Sequence, residues 1–142
     1  MTALAQSYSQ TLYEGNVTVK AKTIAASVTI YAGTLAMNDA GQVKVFTSAG
    51  YVGGAKLLGF PVSTIANSTA SDVTYSSNVL HFRRRCPMTV NGKAADLPTT
   101  SNLGGPVYVK DNFTVGATDA GSELAVTLLE CNSDGTYTIM LP

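Results

Sequence analysis

Charge is what this chain has least of. Only 13% of its 142 residues are Asp, Glu, Lys or Arg, about half the share usual in a soluble domain. Nine acids offset nine bases, so the formal net charge is zero. A chain without net charge has little field to gather a polyanion. Histidine occurs once, at position 81, which leaves Ser-His-Asp and Cys-His catalysis a single candidate base. Cysteine occurs twice, at Cys86 and Cys131, with neither CxxC nor Cys/His metal spacing. In a reducing compartment the two read as small apolar residues. There is no G-x-S-x-G, P-loop, G-x-G-x-x-G, H-E-x-x-H or calcium-loop pattern, and the acids stand singly at turns. The expectation is a non-enzyme without metal or cofactor. Apolar runs stay far below the ~20 residues of a membrane helix. The opening MTALAQSYSQTLYEG shows neither the basic stretch nor the apolar core of a signal peptide. Synthesis in a cytoplasm and no membrane partner are expected.

What the chain does have is strand periodicity. NVTVKAK places Val17 and Val19 on one face and Thr18 and Lys20 on the other. SVTIYAG, GQVKVFT, SDVTY, NVLHF, PVYVKD, FTVGA and GTYTIML read alike, rich in β-branched and aromatic residues. Turn signals separate them at Asn38 to Gly41, Asn91-Gly92, Asn102 to Pro106 and Asp134-Gly135. Asp134-Gly135 predicts a type I′ hairpin. SELAVTLLEC (122–131) has helix formers, but Leu124, Val126 and Leu128 alternate, and it reads as a strand. The pattern predicts an all-β fold, a compact small barrel or β-clip-like domain of many short strands. Residues 16–142 form the single β domain. Residues 1–15 read as an N-terminal arm, with Leu4, Tyr8 and Leu12 as anchors on a neighbouring surface.

A weak internal repeat runs beneath this pattern. AGTLAMNDAGQV (32–43) aligns with GGPVYVKDNFTV (104–115), matching Gly33 to Gly105, Leu35 to Val107, Met37 to Val109, Asp39 to Asp111 and Val43 to Val115. KLLGF (56–60) stands in a similar relation to TLLEC (127–131). The five-position register points to a duplicated β unit.

The one concentration of charge is HFRRRCP (81–87), which holds every arginine. If the strand alternates throughout, Arg83 and Arg85 share the face of His81, and Arg84 shares that of Phe82 and Cys86. Three arginines split over two faces do not follow one phosphate track, and no aromatic residues are interleaved for base stacking. No direct nucleic-acid contact is expected. Arginine is favoured at protein interfaces, so His81, Arg83, Arg84 and Arg85 become candidate contacts to another subunit or partner. The plain alternative is an edge strand that the arginines protect from aggregation.

In its order of features the chain resembles the small capsid decoration (head-stabilising, or cement) proteins of tailed bacteriophages. The likeness rests on IAASVTIYAGTLAMNDAGQVKV (24–45), KLLGF, VLHFRRRCPMTV, LGGPVYVKDNFTV and AVTLLECNSDGTYTIMLP. It covers the chain from about Val17 onward and carries no catalytic signature. The resemblance implies a non-enzymatic homotrimer that binds the major capsid protein on the outer surface of the virion. Another β-type virion component (tail-tube, head–tail joining or fibre-base) and a small carbohydrate- or nucleic-acid-binding barrel are the alternatives.

Overall fold

The computed structural model describes residues 5–7, 10, 17–75 and 80–142. Among them the first strands are β1 (Val17–Ala21), β2 (Thr23–Ile24), β3 (Val28–Ile30), β4 (Ala36–Asp39) and β5 (Gln42–Val45). The short helix α1 (Ser48–Val52) follows, then β6 (Lys56–Gly59), β7 (Ile65–Asn67), β8 (Val73–Thr74) and β9 (Leu80–Arg84). The remaining strands are β10 (Pro87–Gly92), β11 (Pro106–Val109), β12 (Thr114–Gly116), β13 (Ala125–Cys131) and β14 (Thr136–Met140), with a 3₁₀ turn at Thr100–Asn102. The fold is all-β, as the alternation predicts, and SELAVTLLEC supplies strand β13.

Two five-stranded units account for most of it, and they are wired alike. The first is an open sheet in the order β6-β4-β5-β2-β8; the second is a closed barrel in the order β10-β12-β11-β13-β14. Taking β2, β4, β5, β6 and β8 against β10, β11, β12, β13 and β14, every neighbour relation recurs. The third strand runs parallel to the first and antiparallel to the second, and the fourth pairs with the second. The fifth pairs antiparallel with the first. The repeat seen in the sequence thus corresponds to a repeated strand order. The hairpins differ in register by one residue: Met37 pairs with Lys44, whereas Val109, its counterpart, pairs with Val115. Only the second unit closes, through β13 and β14.

The two units share one core. The barrel interior (Val90, Val107, Val109, Val115, Leu128, Ile139) continues into Leu35, Met37, Phe46, Leu57 and Phe60 of the first unit. Leu58, Val43 and Ala36 point to the other side of the first sheet, into a second cluster with Ile24, Ile30, Leu80 and Phe82. Consecutive Leu57 and Leu58 are both buried because that sheet is covered on both faces. Two narrow ribbons, β1 with β9 and β3 with β7, complete the cover.

Two turn expectations change. Asn91-Gly92 is no turn but the end of β10. A Cβ on Gly92 would stand 2.5 Å from the Tyr137 ring, so the glycine serves close packing. At the β13–β14 connection only Gly135 has positive φ (87°), not Asp134. The hairpin forms, but over a four-residue turn closed by Gly135 N–H to Asn132 O at 3.2 Å. The type I′ geometry occurs instead in the β4–β5 turn, where Ala40 (52°) and Gly41 (90°) are both left-handed. Cys86 and Cys131 are free.

Gly59 joins the first unit to β9. Its φ is +117°, and a Cβ there would lie 2.0 Å from the Arg83 carbonyl oxygen. Next to it, Phe60 and Arg83 exchange backbone hydrogen bonds of 3.2 and 2.8 Å. Gly59→Ala should therefore cost at least about 2 kcal/mol, read as a lower urea midpoint; an unchanged midpoint would contradict this account of the junction.

Candidate assembly surface

The local fold of β9 decides where each arginine goes. Leu80 and Phe82 are buried and His81 is exposed, the alternation a half-buried strand requires. In the antiparallel register with β1, Thr18 faces Arg83 and Lys20 faces His81. These four share the outward face of the ribbon. Arg83 Nη1 donates to Thr18 Oγ1 at 3.0 Å. Beside it runs an open groove of about 470 Å³ lined by Pro61, Val62, Ser63, Ile65, Leu80, His81 and Arg83.

Alternation stops at Arg84. Arg85 has φ +53°, so it leaves the strand and does not share the face of Arg83 in register. It is exposed, and Cys86 beyond it is buried. Burial raises the Cys86 thiol pKa, opposed in part by the Arg83 guanidinium, so this cysteine is an inert packing residue. Arg84 turns into the chain. Its Nε donates to the Pro142 carbonyl at 3.1 Å and its Nη1 to the Leu57 carbonyl at 3.2 Å. One guanidinium thus caps the outer edge of β6 and holds the segment after β14, tying the first unit to the second. Leu4, Tyr8 and Leu12 lie outside the described residues. Within the arm, Ser7 Oγ meets Thr64 Oγ1 at 2.7 Å. The Gln10 amide takes Thr89 N–H at 2.8 Å and donates to Thr89 O at 2.8 Å and Gly33 O at 3.1 Å. It completes the backbone pairing of β10 as a neighbouring strand would.

Sequence reading missed a second charged constellation. Lys110 and Glu123 form a salt bridge with side chains only 5% and 7% exposed. Lys110 Nζ also donates to Thr118 O at 2.6 Å. Glu123 accepts Ser48 Oγ at 2.6 Å and Ala120 N–H at 2.8 Å. Burial opposes ionisation of Glu123, yet the hydrogen bonds from Lys110, Ser48 and Ala120 prevail and hold its pKa below the ordinary value. Nearby, Asp96 accepts Thr118 Oγ1 at 3.0 Å and Thr118 N–H at 3.2 Å. The partners are 13 residues apart, beyond any helical or strand spacing, so periodicity does not reveal them. Among the described residues no group of three or more His, Cys, Asp or Glu is placed to hold a metal ion. Nor is any described helix long and apolar enough to cross a membrane. No family model, curated protein or solved structure matches the chain.

Three tests follow from this geometry. Arg84→Ala should destabilise the fold by roughly 1–3 kcal/mol through its two lost carbonyl partners, and Arg85→Ala by less than about 0.5 kcal/mol; equal effects in urea titrations would refute the division of labour. Lys110→Met leaves Glu123 buried and unpaired and should cost about 3–5 kcal/mol. Because the folded Glu123 pKa is lowered, its stabilisation is complete above the unfolded value near ~4.3. It is lost as pH falls through the folded value. Urea midpoints followed into acid should show that loss in the wild type and a shallower one in Glu123→Gln; identical acid limbs would contradict it.

Proposed function

We propose that this chain is a capsid decoration protein: a homotrimer that binds the major capsid protein on the outer surface of an expanded phage head and stabilises the lattice. The observation that carries the reading is that the segments bearing the family likeness coincide with the repeated β unit. Residues 24–45 supply the end of β2 and all of β3, β4 and β5, and KLLGF supplies β6. LGGPVYVKDNFTV and AVTLLECNSDGTYTIMLP supply β11, most of β12, β13 and β14, of which β11, β12 and β13 are the counterparts of β4, β5 and β6. VLHFRRRCPMTV supplies β9, with its exposed His81, and the first part of β10.

The physics of such a role suits the chain. A ligand that binds only the expanded lattice stabilises it by mass action. A trimer seated on several capsid subunits multiplies weak contacts into firm retention. A surface poor in charge and rich in Thr and Ser forms wet, hydrogen-bonded contacts. The small nucleic-acid-binding barrel is the weaker reading, because residues 87–142, which build the barrel, hold six acids and only two lysines.

Purified protein mixed with expanded and unexpanded heads should cosediment with the expanded form alone and raise the temperature at which those heads release DNA. No retention on either form would refute the proposal. Salt-sensitive DNA retention lost in the Arg83→Ala/Arg84→Ala/Arg85→Ala variant would favour the nucleic-acid reading instead.

A further inference from the structure

The charges that cancel over the whole chain are segregated along it. Residues 17–86 hold seven of the nine bases and two of the nine acids, whereas residues 87–142 hold two bases and six acids. Each half also exposes an apolar surface beside charges of its own sign. In the first half, Lys20, His81 and Arg83 share the outward face of the β1–β9 ribbon. That face borders the groove lined by Pro61, Val62 and Ile65, where Val62 is 51% exposed.

In the second half the outward positions of β11, β13 and β14 are apolar or hydroxylic. Pro106, Thr127 and Met140 stand opposite one another across the three strands, and all three are exposed. An irregularity between Leu128 and Glu130 leaves both Leu129 and Glu130 exposed. Leu103, 45% exposed, precedes Gly104, whose N–H donates to Leu128 O at 2.9 Å. The turn of the same hairpin carries exposed Asp134. The first surface is a groove with a cationic rim, and the second a low apolar face with an anionic rim.

We propose that these two surfaces bind each other in neighbouring copies of this chain, head to tail. Like-to-like contact would set cationic rim on cationic rim, which complementary interfaces avoid. Opposite rims fix orientation, while burial of Val62 against Leu129 and Met140 supplies the apolar gain. A heterologous contact of this kind closes into a ring when each copy is rotated by a third of a turn. The inference rests on the decoration reading only for the number of copies in that ring.

Sedimentation velocity of the full chain in low and high salt tests it. The wild type should associate at low ionic strength, and its association should weaken about tenfold or more where screening shortens the Debye length toward ~3 Å. Lys20→Glu/His81→Glu reverses the cationic rim, and Leu129→Lys/Glu130→Lys reverses the anionic one. Each variant, checked as folded by circular dichroism, should sediment as a monomer, and an equimolar mixture should associate again. Lys56→Glu, outside both rims, should behave as wild type. A wild type that stays monomeric, an oligomer unmoved by either reversal, or loss without recovery on mixing would each overturn the proposal. Association without retention on expanded heads would refute the decoration reading and leave this inference standing; retention by a monomer would overturn this inference and the trimer and leave capsid binding standing.

Discussion

The buried ion pair of Lys110 with Glu123 is the interaction on which the meeting of the two units depends. Taking an ammonium and a carboxylate out of water costs several kcal/mol per ion, offset only when the remaining hydrogen-bonding capacity is met. Here it is met by two separate segments. Ser48 comes from the first turn of α1, while Thr118 and Ala120 belong to the β12–β13 connection. Lys110 itself opens the connection between β11 and β12. All of residues 110–114 are buried, and Asn112 O accepts Leu35 N–H of the first unit at 2.7 Å. The pair therefore fixes the loop that carries Phe113 into the shared core.

The same strand order gives two different objects because its ends are treated differently. In the second unit β13 and β14 are long enough, seven and five residues, to pair with each other and close the barrel. In the first, β6 has four residues and β8 two, and β9 takes the place of closure at the Phe60 to Arg83 bridge. The matching hairpin turns diverge for a related reason. Ala40-Gly41 is an exposed two-residue turn, whereas its counterpart lies at the junction and is buried. An open sheet edge invites pairing with other chains. On β6 that edge is blocked by the Arg84 guanidinium on Leu57 O.

Much of this was legible in the sequence. Period-two alternation gave the fold class and strand β13, and five matched positions gave the repeat, because both are local patterns that burial imposes on every strand. Three features were not. Arg85 breaks the strand in a left-handed conformation that ordinary side chains seldom adopt, so the triplet looked like continued alternation. Gly92 resembled a turn residue because sequence does not distinguish a glycine needed for its φ from one needed for the space under Tyr137. Lys110, Glu123 and Gln10 act across tertiary distances, and no spacing rule reaches them. The arginine cluster accordingly changes meaning: Arg84 serves the fold, Arg83 is half-buried against Thr18, and His81 and Arg85 stay at the surface with Lys20.

The chain is poor in charge, and most of its cations lie on one half and most of its acids on the other. The most direct test of the decoration reading is to locate the protein in the assembled particle by cryo-electron microscopy. The account predicts density for this fold spread over the outer head surface at three-fold and quasi-three-fold positions, with neighbouring copies around each axis. Density confined to the tail, the head–tail joint or a fibre base would contradict it.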